Sequence, residues 1–477
     1  MVSWMRKVSS VVTVEVYTIC YCLTLSFYLV GTPAVIYTKL CYRLTTNKTL
    51  CNDPYQAKHL AHSHPEIESE TSLWIMYLNI AQIIPMIFTS MVFGSYIDSR
   101  GFTLPLRLSL VGAIISSAWT AVCAHMLPWH HGFLFFTAVV MGVTGGIGGA
   151  LLTGHAYVIR DSTEATRGVR IAVLHSALAV AFMMGTFTSG LVIDRLGLDW
   201  LFIFSAMVGV IGILDVVFRL REPRITTTQQ EFISLWKRVK EYAGCITRIR
   251  PDSKRLYMHL MMLAFVLSFC AMMGVIDVEY LYLTKEKGMT NEQLGIYMGT
   301  GFAITVLGNV LGTYVLNNKI RFRMLSVAII GLIFSGACYA TLAFAHTITV
   351  LWISNAFRFL AFLTSIGAKT FISRCVEMTE QGTLMSFMAV IESIFKLFAS
   401  LIFNSVYAVS ISFWPGLALA LCALLNVLAI PITVFVLYKT RHSKENHYNH
   451  LVVDDANSSY DIAAVNRLQL QTDVIVT

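Results

Sequence analysis

The chain has 477 residues, of which 56% are hydrophobic and 13% charged, with a formal net charge of +8 and a mean hydropathy of +0.66. A water-soluble domain of this length has no use for so much apolar surface, because its exterior must meet water. The Lys and Arg residues sit in short loops and one connecting segment, which is a topology signal and not a nucleic-acid footprint, so nucleic acid is excluded as a partner.

Apolar runs of 18 or more residues recur along nearly the whole chain, each able to cross about 30 Å of hydrocarbon as a helix. A short basic start with Arg6 and Lys7 precedes an apolar run over 11–37. That run is too long for a signal-peptide core and has no small-x-small cleavage site, so it reads as a retained first span. The segment 39–72 reads as a polar loop carrying the glycosylation sequon at Asn47, and Cys41 and Cys51. If the loop faces an oxidising compartment, those two thiols suit a disulfide. His59, His62, His64, Glu66, Glu68 and Glu70 in the same loop lack a fixed ligand spacing; a solvated loop is the reading, and no metal or other cofactor is expected.

Further spans are expected near 73–97, 105–127, 132–157, 170–193 and 200–219. A basic linker with Arg221, Arg224, Lys237, Arg238, Lys240, Arg248 and Arg250 follows, and six more spans are expected near 257–282, 294–316, 324–345, 348–372, 385–410 and 416–438. The expectation is an all-α membrane protein: a six-helix half over 1–219, a cytoplasmic linker over 220–256, a second six-helix half over 257–438, and a polar, disordered cytoplasmic tail over 439–477. With both termini in the cytoplasm, the short outer loops 128–131, 346–347 and 411–415 hold no Lys or Arg, as the positive-inside rule requires. The same orientation puts Asn47 on the glycosylated side. In the tail, Tyr448 and Leu451 fit the Tyr-x-x-apolar signal read by endocytic adaptors, which points to adaptor binding and to a plasma-membrane or endolysosomal location.

Ionisable side chains at mid-membrane usually face a cavity or a partner. Arg358 stands near mid-depth in the tenth span, and Glu392 and Lys396 are four residues apart in the eleventh, so they share a face and are placed to pair. Two readings stay open: an internal salt bridge with Arg358 satisfied by helix carbonyls, or an anion-binding Arg358 with a rearranging Glu392/Lys396 pair. Asp277 and Glu279 fall near the outer end of the seventh span, as mouth-lining or interfacial charges. Tyr17, Asn79, Gln82 and Asn309 supply hydrogen-bonding groups at depths suited to a central cavity. His175 lies a few residues inside the fifth span, as a proton carrier or as a neutral histidine bonded across helices; His155 is nearer the cytoplasmic end and a weaker candidate.

Between the second and third spans, Gly94, Asp98, Ser99 and Gly101 follow the spacing Gly-x-x-x-Asp-Ser-x-Gly, with Arg100 and Arg107 nearby. A weaker echo without the acid starts at Gly312, 218 residues later, as a two-fold transporter would leave. The spacing resembles the corresponding loop of major facilitator transporters. The stretches Gly142 to Gly146, Arg170 to Ala177, Met378 to Ser386 and Leu401 to Tyr407 are similar to solute carrier family 46, the proton-coupled folate transporter and its relatives, over about residues 10–438. The resemblance implies a major facilitator fold of twelve helices and proton-coupled transport of a small polar or anionic solute, folate-like, muropeptide-like or nucleotide-like. It implies a substrate-binding role for Lys369, proton coupling at His175, and a cytoplasmic gating latch at Gly94, Asp98, Arg100, Gly101 and Arg107; depth in the spans adds Arg358, Lys396, Asn309, Asn79 and Gln82 as substrate-binding candidates and Glu392 as a proton-coupling one. Where the family has Gly-Arg-Arg this chain has Gly101, Phe102 and Thr103; Gly146 and His175 replace two acids, and Lys369 stands where a binding arginine is expected. The alternative is a membrane receptor or scaffold that kept the fold and lost transport. An enzyme is the weakest reading, since no Ser/His/Asp set or phosphate loop shares a membrane face.

Overall fold

A chain in hydrocarbon can satisfy its backbone amides only inside helices or a closed barrel, and this chain uses helices. The computed structural model describes residues 13–44, 65–161, 164–220, 235–250, 253–313, 315–316, 323–376 and 381–442. Asn47, Cys51, the histidines of the first loop, and Tyr448 and Leu451 of the tail lie outside the described residues.

The first half comprises α1 (Glu15–Leu44), α2 (Pro65–Arg100), α3 (Thr103–His125), a fourth span in two pieces, α4 (Phe135–Val143) and α5 (Gly146–Asp161), then α6 (Glu164–Leu196) and α7 (Leu198–Phe218). An amphipathic helix, α8 (Leu235–Thr247), stands in the linker. The second half comprises α9 (Lys254–Leu281), α10 (Asn291–Thr313), α11 (Met324–Ala343), a tenth span again in two pieces, α12 (Ile348–Ala361) and α13 (Leu363–Arg374), then α14 (Gln381–Ser410) and α15 (Leu417–His442). The breaks in the fourth and tenth spans occupy the same place in the two halves, the mark of an internal repeat. In the fourth span the break has a clear cause: Gly145 and Gly146 have φ of +98° and +49°, and a Cβ on Gly145 would lie 2.6 Å from the Phe93 ring. Only glycine fits there.

Eleven described segments are long and apolar enough to cross a membrane; α10, the expected eighth span, packs in the same bundle along α6 and α12. Large apolar side chains such as Val210, Ile211, Leu214, Val217 and Phe218 on α7 point outward, which suits lipid as the surrounding solvent. The halves meet along two seams, α2 with α14 and α6 with α10.

The arrangement of the core decides the state of the molecule. At the end away from the Gly101 loop, one apolar cluster runs through both halves and includes Tyr37, Ile67, Phe202, Tyr282, Tyr297 and Tyr407. Toward the Gly101 end the core divides. One cluster, with Leu106, Tyr157 and Leu174, belongs essentially to the first half, and another, with Met258, Ile372 and Leu384, to the second. The far end is therefore closed by shared packing, while a cleft separates the halves toward the Gly101 end. Tyr242 of α8 packs against Phe387 of α14 and closes one wall of a 140 Å³ cavity beside Gly94, Ile97 and Ser393.

The first loop is shorter than expected. α1 runs to Leu44 and α2 begins at Pro65, so Glu66, Glu68 and Glu70 are helical; Glu68 is buried while Glu66 and Glu70 are exposed. Lys39, read as a loop charge, is buried and donates to the carbonyls of Met126 at 2.7 Å and Trp129 at 3.2 Å. Cys41 is disulfide-bonded.

Candidate functional site

Among the described residues, three acid–base centres are founded on charges of the second half, carried by α9, α12, α13 and α14. Asp277 and Glu279 are two residues apart on α9, so their side chains leave the helix in nearly opposite directions. Each founds its own centre.

Glu279, 2% exposed, pairs with the Arg358 guanidinium of α12. The guanidinium carbon lies 5.5 Å from the centroid of the Tyr297 ring. Asn355, one turn before Arg358, donates to the Tyr297 carbonyl at 2.9 Å and to Thr300 Oγ1 at 3.1 Å. Arg358 Nε remains buried without a hydrogen-bond partner. Arg358 is thus held by a carboxylate and not by helix carbonyls, and Glu279 is an inner residue and not a mouth charge.

Asp277 faces the other way, into the α2–α14 seam. Its Oδ2 accepts from Asn79 Nδ2 of α2 and Asn404 Nδ2 of α14, both at 3.0 Å. Asn79 also donates to Ser400 Oγ at 2.8 Å, and Lys396 lies within electrostatic range of Asp277. The third centre is nearer the Gly101 end: Lys369 Nζ of α13 lies 2.5 Å from Glu392 Oε1 of α14, the side chains being 38% and 24% exposed. His155 of α5, across the cleft, is within electrostatic range of both.

The expected Glu392–Lys396 pair is therefore not formed. Both residues do share a face of α14, in the stripe Glu392, Lys396, Ser400, Asn404. The stripe meets three neighbouring helices, α13 at Glu392, α9 at Lys396 and Asn404, and α2 at Ser400 and Asn404, and an opposite charge delivered head-on from α13 or α9 wins over one a turn away. Asp277 and His155 belong to the ionisable set, although neither had a leading role on sequence grounds. The cost argument that singled out Arg358 applies equally to an acid inside the apolar seventh span.

Asn309 of α10 has its Oδ1 buried without a partner, an open acceptor in the middle of the bundle. Gln82 is buried on α2, where its own carbonyl backs onto Gly142. Tyr17 packs against Tyr21 inside the first half, ring centroids 6.1 Å apart. His175 falls in α6 and its side chain lies outside the described set.

At the latch, Gly101 takes φ +109°, the turn expected of it. Gly94 does not mark a close approach, because an added Cβ would meet Leu152 at an ordinary 3.9 Å. Asp98 lies in the last turn of α2, its side chain outside the described set. Arg100 and Arg107 are exposed. The cation over the loop is Arg160 of α5, 5.1 Å from the Phe102 ring centroid.

The family described as Major Facilitator Superfamily matches residues 19–400. The chain belongs to the major facilitator superfamily. The curated relatives of this facilitator are members of solute carrier family 46. It is 25% identical over 381 residues to the proton-coupled folate transporter of Bos taurus, covering 80% of this chain and 82% of that one. It is 23% identical over 405 residues to the lysosomal proton-coupled steroid conjugate and bile acid symporter SLC46A3 of Homo sapiens, covering 82% and 85%. Among solved structures, the human organic anion transporter MFSD10 (TETRAN) superposes with a TM-score of 0.60 at 14% identity over 90% of this chain and 99% of that one. A POT family transporter in complex with thioalcohol conjugated peptide superposes with a TM-score of 0.63 at 12% identity, over 90% and 96%. These likenesses establish the facilitator fold in a multi-pass membrane protein.

Proposed function

We propose that this facilitator is a secondary-active transporter that moves a small polar or anionic organic solute together with protons, by alternating access between its two halves. Both termini and the Gly101 loop then face the cytoplasm, the far end is the outer end, Asn47 is glycosylated, and Cys41 pairs with Cys51. The membrane is the plasma membrane or an endolysosomal one, with Tyr448 and Leu451 as an adaptor signal. The observation that carries the reading is the Lys369–Glu392 pair, half-open to the cleft and facing His155 of the other half. A proton on Glu392 cancels its charge and releases Lys369, and a solute carboxylate or phosphate then takes the vacated place. Arg358 Nε and Asn309 Oδ1, each without a partner, supply a further donor and acceptor, with Lys396, Asn79 and Gln82 along the inter-half seam. His175, on the fifth span, is a second proton carrier. Folates, steroid conjugates and bile acids, the solutes in the relatives' names, are all organic anions, which supports an anion-sized cationic site without choosing among folate-like, muropeptide-like and nucleotide-like solutes.

Uptake of a labelled panel of such anions into proteoliposomes at about pH 5.5 and about pH 7.4, which bracket a histidine's titration, tests this. Lys369→Gln is expected to raise the half-saturation concentration roughly tenfold or more, the equivalent of about 1.4 kcal/mol. Glu392→Gln and His175→Ala are expected to flatten the pH dependence. An unchanged affinity in Lys369→Gln places the solute elsewhere, and no saturable uptake of any anion by folded protein removes the transport reading.

A further inference from the structure

A second charged cluster, outside the solute site, lies at the outer end. Glu68, in the first turn of α2, is 0% exposed. Its Oε1 accepts from Tyr407 Oη of α14 at 2.5 Å, and its Oε2 is buried without a hydrogen-bond partner. Lys285 and Glu286 face it from the π-turn Tyr282–Glu286 that ends α9; π-turns of this kind gather at functional sites. Lys285 Nζ sits 3.5 Å from the centroid of the Tyr37 ring of α1, whose hydroxyl is likewise buried without a partner. Tyr282, on the same π-turn, faces Tyr407. α4 carries no titratable side chain, and in the short turn before it His131 and His130 meet Trp74, further along α2, edge to face.

Tyr37 and Glu68 come from the first half, and Lys285, Glu286 and Tyr407 from the second. The cluster therefore exists only while the outer end is closed, where Ser69 Oγ also donates to the Ala408 carbonyl and Ser72 Oγ to that of Asn404, each at 3.0 Å. We propose that Glu68 is a proton-binding site of the outer gate, taking one proton from the outer solution onto Oε2 as that end closes and returning it as the end opens. A buried carboxylate needs a close cation or several donors. Glu68 has one neutral donor, and Lys285, the cation in electrostatic range of it, is held over the Tyr37 ring and makes no ion pair with the carboxylate. A neutral carboxyl keeps the Tyr407 hydrogen bond, and its unbonded hydroxyl costs far less than an unbonded charge. Once the gate opens, both oxygens meet water and the ion is solvated. Protons and closure are thereby linked, so acid on the outer side drives the carrier toward the cytoplasm-facing state.

This inference rests on the alternating-access reading, and its test separates the two. Spin labels at Trp200→Cys and Ile348→Cys, both exposed positions at the outer end of opposite halves, report opening as a distance in nanodiscs. Lowering the pH from about 7.4 to about 5.5 is expected to raise the closed-to-open ratio roughly fivefold or more, a modest population shift. Glu68→Gln is expected to favour the closed distance at both pH values, with a ratio change under about twofold. Tyr407→Phe, which leaves Glu68 titratable, keeps the pH response. Should Glu68→Gln not be recovered folded, Glu68→Met serves as the second neutral variant. The proposal is overturned if the neutral variant retains the wild-type response, or if Tyr407→Phe abolishes it equally. A single distance at every pH, with and without the anion panel, overturns alternating access itself.

Discussion

Arg358 and Glu279 illustrate what an ion pair demands in a membrane interior. Each is expensive alone, and each makes the other tolerable by proximity. Removing one partner leaves a buried, unmatched charge, so Arg358→Gln or Glu279→Gln alone is expected to cost about 3–5 kcal/mol. The double variant, which buries no net charge, should be less damaged than either. Thermal unfolding of the purified variants, read as a double-mutant cycle, gives the coupling; purely additive losses would mean that the pair is not the unit of stability. The sequence singled out Arg358 because a cation in an apolar span announces itself. It did not reveal the partner, because Glu279 is 79 residues away on another helix.

Among the elements, α6 and α10 show how closely two helices of opposite halves approach. A Cβ on Gly190 would lie 2.1 Å from the Asn291 carbonyl oxygen, and one on Gly295 would lie 2.7 Å from that of Thr186. Beside this contact Asp194 accepts from Asn291 Nδ2 and from the Glu292 backbone N–H, both at 2.8 Å. Backbone cannot yield as a side chain tip can, so Gly190→Ala should hold the outer seam open, at an overpacking cost of about 1–3 kcal/mol. The outer-end spin-label distance is expected to shift toward the open population; unchanged populations would show that this seam does not limit closure. α14 shows the complementary case, in which a polar stripe four residues apart meets α13, α9 and α2 in turn. The stripe is legible from spacing alone, while the identity of each neighbour is not.

At the scale of the whole molecule, one shared core at the end away from the Gly101 loop and two separate cores toward that loop make a body whose halves are joined at one end. For such a body we propose the Gly101 loop, which joins α2 and α3 within one half, as a conformational element. Asp98→Asn is accordingly expected to lower the turnover rate severalfold while changing the half-saturation concentration little. Initial rates over a range of solute concentrations check this, and the reverse pattern would move Asp98 into the solute site.

Hydrophobic run length, the clustering of Lys and Arg and the half-length echo of one motif together pointed to the fold class, a many-helix membrane bundle of two-fold plan. These are properties of each segment in its own solvent, and every spanning helix must satisfy its backbone within itself. They also placed Arg358, Lys369, Glu392 and Lys396 inside the membrane. Only the tertiary structure decided that Lys369 and not Lys396 meets Glu392, that Asp277 binds across the halves to Asn79, and that Glu68 is a buried helical residue and not a loop charge. Pairing depends on which helices are neighbours and how far each is slid along the other. Those quantities are fixed by packing between segments far apart in the chain, and no local pattern records them.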